Sequence, residues 1–229
     1  SRDMLPTVMI PSSELLHNDA ENGETFGKVL RVNRKIAKNT YEMTLAGDTS
    51  HISAPGQFVN IQLDGFYLRR PISVCDAEGG KLTLIFKAVG EGTEKMAKML
   101  PGAKLDILSG LGNGYDTEKS GNAPLLIGGG AGVPPMYMLA KKLIGEGKGV
   151  SVILGFNKAD EIFCKEDFEA IGAETIVTTV DGSVGIKGFV TDALKNINVT
   201  ISHVDSEQIT YLNGVDVSNT IRENEISDI

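Results

Sequence analysis

An eight-residue run, Gly-Gly-Gly-Ala-Gly-Val-Pro-Pro, at positions 128–135 limits the possible folds of this chain more than any other segment. An apolar stretch at 125–127 precedes it, and a segment typical of a helix, 136–143, follows it. A strand, a glycine turn and a helix in this order indicate an α/β domain, whose helix start offers backbone N–H groups to a phosphate. Pro134 suits that helix start, where its missing N–H is not needed. A tight turn without a ligand is the alternative, because short glycine motifs also occur without function.

Composition and charge narrow the class of protein. The chain has 229 residues, of which 41% are hydrophobic, and a net charge of −8. Nucleic acids and anionic membranes require a basic surface, so we expect neither as a partner. No apolar run reaches the ~18 residues of a membrane span, and no signal-peptide pattern is recognisable. We therefore expect a cytoplasmic protein.

The spacing of the cysteine and histidine residues matches neither a metal-binding motif nor the motif of a catalytic nucleophile. Cys75 and Cys164 are far apart in sequence, which predicts two buried, reduced thiols. His17, His51 and His203 are scattered through polar surroundings. We expect no metal site and no catalytic triad.

The local pattern divides the chain into four parts and predicts a two-domain α+β protein. Residues 1–25 are a polar extension, and residues 26–115 are short alternating strands that predict an antiparallel β-barrel. Residues 123–197 alternate strands and helices, which predicts an open parallel α/β domain, here incomplete. Residues 198–229 form an atypical tail. Strands are predicted at 28–33, 40–45, 57–63, 81–87, 104–108, 125–128, 150–155 and 174–180, and helices at 92–100, 134–144, 165–171 and 189–195.

A second informative segment is Tyr-Leu-Arg-Arg-Pro-Ile-Ser-Val at positions 67–74, which we place at the end of the third barrel strand. An arginine beside a rigid proline and a serine can bind a pyrophosphate and hydrogen-bond the edge of a ring. A surface arginine pair beside an edge-strand proline is the alternative.

These two motifs, in this order, resemble those of the ferredoxin–NADP reductase superfamily. Within it the chain is most similar to the electron-transfer subunits of bacterial NAD-dependent dihydroorotate dehydrogenases. The likeness runs from about residue 27 to residue 197, with supporting stretches at 55–58, 90–93, 110–114, 154–156, 181–183 and 188–192.

The resemblance implies a flavin- and NAD-dependent oxidoreductase subunit. FAD would bind the barrel, NAD(H) would bind the α/β domain, and hydride would pass between them in the cleft between the domains without an acid or base from the protein. The implied FAD-binding residues are Arg70, Pro71, Ile72 and Ser73, then Ile85, Phe86 and Lys87, then Gly92 and Thr93 at the start of a helix. In the family the arginine meets the flavin pyrophosphate and the serine lies near the isoalloxazine ring. The implied nicotinamide-nucleotide residues are Gly128, Gly129, Gly130, Gly132, Val133, Pro134 and Asp181. For Asp181, a structural cap is the alternative to a role in chemistry.

The resemblance also implies a partner, an FMN-containing dihydroorotate dehydrogenase catalytic subunit, in a heterotetramer that serves pyrimidine biosynthesis. A [2Fe–2S] cluster is expected for the family, but its C-x4-C-x2-C pattern and a Cys-Gly-Pro motif are absent from this sequence. This chain should therefore not bind the cluster.

The tail departs from the family. Residues 207–229 are weakly similar to a segment of bacterial cytidylate kinases, although the chain contains no kinase phosphate loop. We expect the tail to be disordered or docked on the sheet edge, and the nucleotide domain to be less stable than its relatives.

Two other functions stay open. One is a stand-alone NAD(P)H-dependent flavin or ferredoxin reductase, and the other is a non-catalytic nucleotide-binding module. The sequence does not decide between NAD and NADP.

Overall fold

A computed structural model describes residues 26–195, 199–204, 207–212 and 215–216. The chain divides into two compact units, residues 1–113 and 114–229. The predicted N-terminal extension, residues 1–25, lies outside the described residues.

Six antiparallel strands of the first unit close into a barrel in the order β1-β2-β5-β4-β3-β6. The strands are β1 Phe26–Ala37, β2 Thr40–Ala46, β3 Phe58–Ile61, β4 Arg70–Glu78, β5 Lys81–Lys87 and β6 Lys104–Leu111, and helix α1, Glu91–Ala97, connects β5 to β6. Leu30, Met43, Val59, Leu84 and Ile107, from five of these strands, are fully buried. Buried residues of this kind alternate with more polar ones along the strands, so one face of the sheet lines the core of the barrel. The predicted antiparallel barrel is confirmed.

Strand β4 corrects the sequence-based placement of the second motif. The sequence predicts the motif at the end of the third strand, whereas β3 ends at Ile61 and a separate strand begins at Arg70. Pro71 lies in this strand opposite Asn60. A proline argues against a strand because it cannot donate a ladder hydrogen bond, but it is tolerated near the strand start.

The second unit contains a four-stranded parallel sheet in the order β10-β9-β8-β7. Its elements in chain order are β7 Leu125–Gly129, α2 Pro134–Gly145, β8 Ser151–Phe156, α3 Lys165–Ala170, β9 Glu174–Thr179, β10 Ile186–Lys187 and α4 Val190–Lys195. Ile153 of β8 and Ala193 of α4 form a buried cluster, and the rings of Tyr137 and Phe168 meet edge to face at 5.5 Å. The predicted parallel α/β architecture is confirmed. No helix in the described part of the chain is both long and apolar enough to cross a bilayer.

The described parts of the tail form a three-stranded antiparallel sheet. Its strands are β11 Val199–Val204, β12 Glu207–Leu212 and β13 Val215–Asp216. These residues have regular backbone pairing, so the expectation of disorder is wrong for them. The expected docking of the tail on the sheet edge stays a prediction, and residues 217–229 lie outside the described residues.

The turn between β7 and α2 requires glycine at position 128. A Cβ atom there would lie 2.8 Å from the Gly132 carbonyl oxygen and 3.1 Å from the Val133 Cα atom. Gly130 has a φ of +51°, and a single 3-10 turn, Gly130–Gly132, leads into α2. Backbone atoms surround the position, so no side-chain rotation can make room for a methyl group.

Lys28 of β1 is a fully buried cation. Its ammonium group donates to the backbone carbonyl of Asp48. Burial lowers the pKa of Lys28 from its ordinary value of 10.5, while the nearby Asp48 carboxylate acts in the opposite direction. The charged form therefore opposes folding, because the loss of its hydration outweighs its interactions with the carbonyl and carboxylate of Asp48.

We expect Lys28→Met to change how stability depends on pH. The pKa of Lys28 is lower in the folded chain, so the unfolded chain binds more protons, and the free energy of unfolding rises as the pH approaches 10.5. The methionine variant should lose this rise. Chemical denaturation from about pH 7 to about pH 11 measures the difference. Lys104→Met, at an exposed position of β6, is the control. If the free energy of unfolding changes with pH in the same way in wild type and Lys28→Met, the explanation is wrong.

We expect Gly128→Ala to destabilise the second unit by about 1–3 kcal/mol, because the added methyl group forces the backbone of the turn to move. The matched control is Gly129→Ala, where the nearest atom to an added Cβ would be 3.8 Å away and φ is −122°. That variant should stay within about 0.5 kcal/mol of wild type. Calorimetric unfolding compares the two, and equal losses of stability would show that the contact with Gly132 is unimportant.

Candidate functional site

The two neighbouring arginines of the first motif have different surroundings. Arg69 makes a two-pronged ion pair with Asp106 of β6, at 2.9 and 3.2 Å. Arg70, which begins β4, donates to the Leu68 carbonyl at 2.5 Å, and its Cζ atom lies 4.8 Å from the centre of the Phe66 ring. Arg69 is therefore a structural residue, whereas the partners that the described residues offer to Arg70 are a carbonyl and a ring.

Arg70 brings the first and third predicted flavin segments together. A Cβ atom on Gly92 of α1 would lie only 2.1 Å from Nε of Arg70 and 2.8 Å from its Cζ atom. The guanidinium thus lies directly on the backbone of the helix, in the space that a side chain would fill. A cation held between a backbone and an aromatic face, with no acid beside it in the described residues, has the chemistry of an anion site.

Helix α1 is held at both ends. It begins at Glu91, one residue before the predicted start, and the Thr93 hydroxyl accepts hydrogen bonds from the N–H groups of Val89 and Gly90 at 3.0 and 3.2 Å. At the other end, the Asn33 side chain of β1 donates to the carbonyls of Met96 and Met99, at 2.8 and 2.9 Å. Thr93 therefore organises the loop that leads into the helix, and Asn33 fixes the helix against the barrel.

The remaining predicted flavin residues lie on β4 and β5. Pro71 is exposed, and Ile72 and Ser73 are half-buried opposite Val59 and Phe58 of β3. On β5, Ile85 and Phe86 are buried, and Lys87 is half-buried. The Phe86 ring stacks on Tyr41 with centroids 6.0 Å apart. Both side chains are buried, on opposite faces of β5, so Ile85 and Phe86 have mainly backbone groups to offer a ligand.

The glycine turn of the second unit presents its backbone rather than side chains. Gly129 and Gly132 are exposed, Gly130 is half-buried, and Gly128 and Val133 are buried. The turn follows the carboxyl end of β7, where Gly129 lies beside Gly155 of β8. This is the edge at which open parallel sheets bind ligands.

The start of α2 differs from the sequence-based expectation. Its first two residues, Pro134 and Pro135, have no N–H group, and the N–H of Met136 is bound to the Val133 carbonyl at 3.1 Å. The expected free donors are therefore absent from the first three residues of this helix. Backbone N–H groups of the preceding turn, Gly130–Gly132, are the remaining local donors for an anion.

Asp181 follows the end of β9 and shapes a loop. Its carboxylate accepts hydrogen bonds from the N–H and hydroxyl of Ser183 at 3.0 and 2.6 Å, and these bonds lower the pKa of Asp181. The Ser183 hydroxyl in turn accepts from the Ala159 N–H at 2.9 Å, which ties the loops after β8 and β9 together. This geometry favours the structural cap for Asp181.

The thiols do not fit an iron–sulfur cluster. Cys75 and Cys164 are both buried and lie in different units. Among the described residues there is no group of three or more histidine, cysteine, aspartate or glutamate side chains that could hold a metal ion. The cluster of the resembled family therefore has no ligand set here.

Phe66 and Lys95 lie beside the flavin motif but are not predicted as site residues from the sequence. The Nζ atom of Lys95 lies 5.8 Å from the centre of the same Phe66 ring that contacts Arg70. Phe66 lies in a loop, where no periodicity indicates its contacts. The spacing of Gly92 and Lys95, three residues apart on a helix, is the one signal that could have placed Lys95 beside the motif.

Comparison with known proteins agrees with the motif order. No protein-family model matches the chain. The electron transfer subunit of dihydroorotate dehydrogenase B (NAD(+)) from Fusobacterium nucleatum subsp. nucleatum is 46% identical over 173 residues, which cover 72% of this chain and 66% of that protein. The subunit of the same name from Bacillus mycoides is 45% identical over 177 residues, which cover 73% of this chain and 68% of that protein.

Solved structures agree on the fold. One is a structure of NADH-dependent reduced ferredoxin-NADP oxidoreductase from work on flavin-based electron bifurcation. It has a TM-score of 0.66 and 31% sequence identity, and the match covers 77% of this chain and 64% of that one. A ferredoxin NADP+ reductase from Neisseria gonorrhoeae with bound FAD and NADP also has a TM-score of 0.66, at 17% identity, with 76% of this chain and 77% of that one covered. The second likeness concerns the fold alone.

The chain spans slightly less than two thirds of the Fusobacterium subunit and slightly more than two thirds of the Bacillus subunit. At 45% identity over that share of the Bacillus protein, the chain belongs to the family of electron-transfer subunits of dihydroorotate dehydrogenase B.

Proposed function

We propose that the chain binds FAD and passes electrons between NAD(H) and a dihydroorotate dehydrogenase catalytic subunit. The observation that carries this proposal is the Arg70 guanidinium lying on the side-chain-free backbone of Gly92, with no carboxylate beside it in the described residues. The two cofactors supply hydride and electron transfer when bound. The protein supplies binding, orientation and charge.

In the flavin half, Arg70 neutralises the pyrophosphate, and Gly92 leaves room for the Arg70 guanidinium. Ser73, half-buried on β4, offers its hydroxyl to the isoalloxazine ring. Pro71 and Ile72 keep the strand in register beside the ligand, and the backbone of Ile85, Phe86 and Lys87 forms the neighbouring strand. Thr93 holds the loop before α1, so the helix start keeps one position when the ligand arrives.

In the nucleotide half, the turn Gly130–Gly132 supplies backbone N–H groups to the pyrophosphate of NAD(H). Gly128 allows the turn to close tightly, and the exposed Gly129 and Gly132 let a ligand approach the backbone. Val133 and Pro134 are buried and anchor the turn on α2. Asp181 keeps the neighbouring loops together and takes no part in proton transfer.

The electron acceptor in this proposal is an FMN-containing catalytic subunit that oxidises dihydroorotate in a cytoplasmic heterotetramer of pyrimidine biosynthesis. The names of the 45–46% identical relatives support the partner class. No electron-transfer step through an iron–sulfur cluster is assigned to this chain, because Cys75 and Cys164 do not provide its ligands.

A stand-alone reductase is the second candidate, favoured by the 31% identity to a NADH-dependent oxidoreductase structure. Purification of the chain from cells that also express the catalytic subunit separates the two. A stable complex supports the electron-transfer subunit, and reduction of small flavins or ferredoxin by the chain alone supports the reductase.

We expect Gly92→Ala to weaken FAD binding while leaving the fold intact. The added methyl group would meet the flexible end of Arg70 and displace its guanidinium, whereas alanine is the better helix former by roughly 0.5–1 kcal/mol. Loss of one charge-assisted contact, about 1.5–3 kcal/mol, weakens binding about tenfold or more. Titration of the FAD-free chain with FAD, followed by flavin fluorescence, gives the affinity.

The matched control is Gly90→Ala, where an added Cβ atom meets nothing within 4 Å and φ is −166°. It should bind FAD like the wild type. A wild-type chain that binds no FAD would overturn the proposed function. A Gly92→Ala variant that binds FAD as tightly as wild type would instead remove Arg70 from the site.

A further inference from the structure

Two cations share one aromatic ring next to the proposed flavin site. The Cζ atom of Arg70 lies 4.8 Å from the centre of the Phe66 ring, and Nζ of Lys95 lies 5.8 Å from the same centre. Arg70 comes from β4 and Lys95 from α1, so two separate elements bring positive charge to this ring.

Among the described residues, no ion pair joins Arg70 or Lys95 to a carboxylate. Arg70 donates to the Leu68 carbonyl, and Lys95 donates to the Asp64 carbonyl, both at 2.5 Å. Glu91 and Glu94 of α1 are exposed. Two like charges at one ring repel each other, and an anion beside both would relieve the repulsion.

The loop that carries Phe66 is fixed. The Phe66 N–H donates to the Leu63 carbonyl at 3.1 Å, and the Gln62 side chain donates to the Phe66 carbonyl at 3.0 Å. Leu63 is 1% exposed, which anchors the loop in the barrel core. The ring is therefore a rigid support on which both cations are placed before any ligand arrives.

Lys95 lies on the helix face that meets Arg70. Gly92 and Lys95 are three residues apart in α1, and residues at this spacing lie on the same side of a helix. Because Gly92 contacts the Arg70 guanidinium, the Lys95 side chain extends along the same surface.

We propose that Lys95 is a second pyrophosphate-binding cation of the flavin site, and that Arg70 and Lys95 bind the FAD diphosphate from two sides, with Phe66 as their common support. This inference rests on the proposed function. Arginine presents a planar fork to one phosphate, while lysine is a compact point charge that reaches the other. Phe66 is a positioning residue, because it acts through the two cations.

The test is Lys95→Met in the full chain, with Lys98→Met as the matched control at an exposed position of the next turn. Three probes are titrated: FAD, riboflavin, which lacks the pyrophosphate, and NADH. We expect Lys95→Met to weaken FAD binding about tenfold, to reduce its salt dependence, and to leave riboflavin and NADH binding unchanged. Lys95→Arg should retain most of the FAD affinity.

Each other result has a clear meaning. FAD binding by Lys95→Met that equals wild type would overturn the inference while leaving the proposed function standing. Equal losses for FAD and riboflavin would also overturn it, because they would show a general disturbance of the site. A selective loss for NADH would assign the cation to the other cofactor. A wild-type chain that binds no FAD would remove the proposed function and this inference together.

Discussion

The proposed flavin site depends on the contact between the Arg70 guanidinium and the bare backbone of Gly92. This contact joins the start of a barrel strand to the first turn of a helix, and it exists only because position 92 has no side chain. Asn33 holds the far end of that helix on the barrel, so the contact surface keeps one position. A positive charge fixed in this way needs little reorganisation to receive a phosphate.

The two units offer anions different chemistry. The barrel brings side-chain cations to a ring, which gives charge and selectivity for a diphosphate. The sheet offers a glycine turn, and the two prolines at the start of α2 remove the N–H groups that a helix usually presents. The dipole of α2 still favours an anion at that end. The hydrogen bonds to a nucleotide would come from the Gly130–Gly132 turn, so binding there depends on the shape of the turn more than on the helix.

Much of the fold could be predicted because its signals are local. Period-two alternation between turn residues predicted the barrel, and the strand–glycine–helix order predicted the parallel sheet. Strand β4 was not predicted, since Pro71 is unfavourable in a strand interior and only the pairing with β3 shows that it is tolerated. The sequence shows that Pro134 and Pro135 provide no N–H donors at the start of α2. It does not show that the Met136 N–H is already bound to the Val133 carbonyl. The contact of Phe66 with Lys95 depends on a loop meeting a helix. The helical spacing of Gly92 and Lys95 is a local signal for Lys95, but no local pattern indicates Phe66.

Electron transfer by this chain is tested most simply by the visible absorption spectrum of the FAD-loaded chain, recorded before and after NADH is added without oxygen. We expect a flavin spectrum whose oxidised bands bleach on addition of NADH, since the chain would carry both cofactor sites. A flavin spectrum that NADH leaves unchanged would contradict hydride transfer by this chain. A chain that takes up no FAD at all would contradict the proposed flavin site itself.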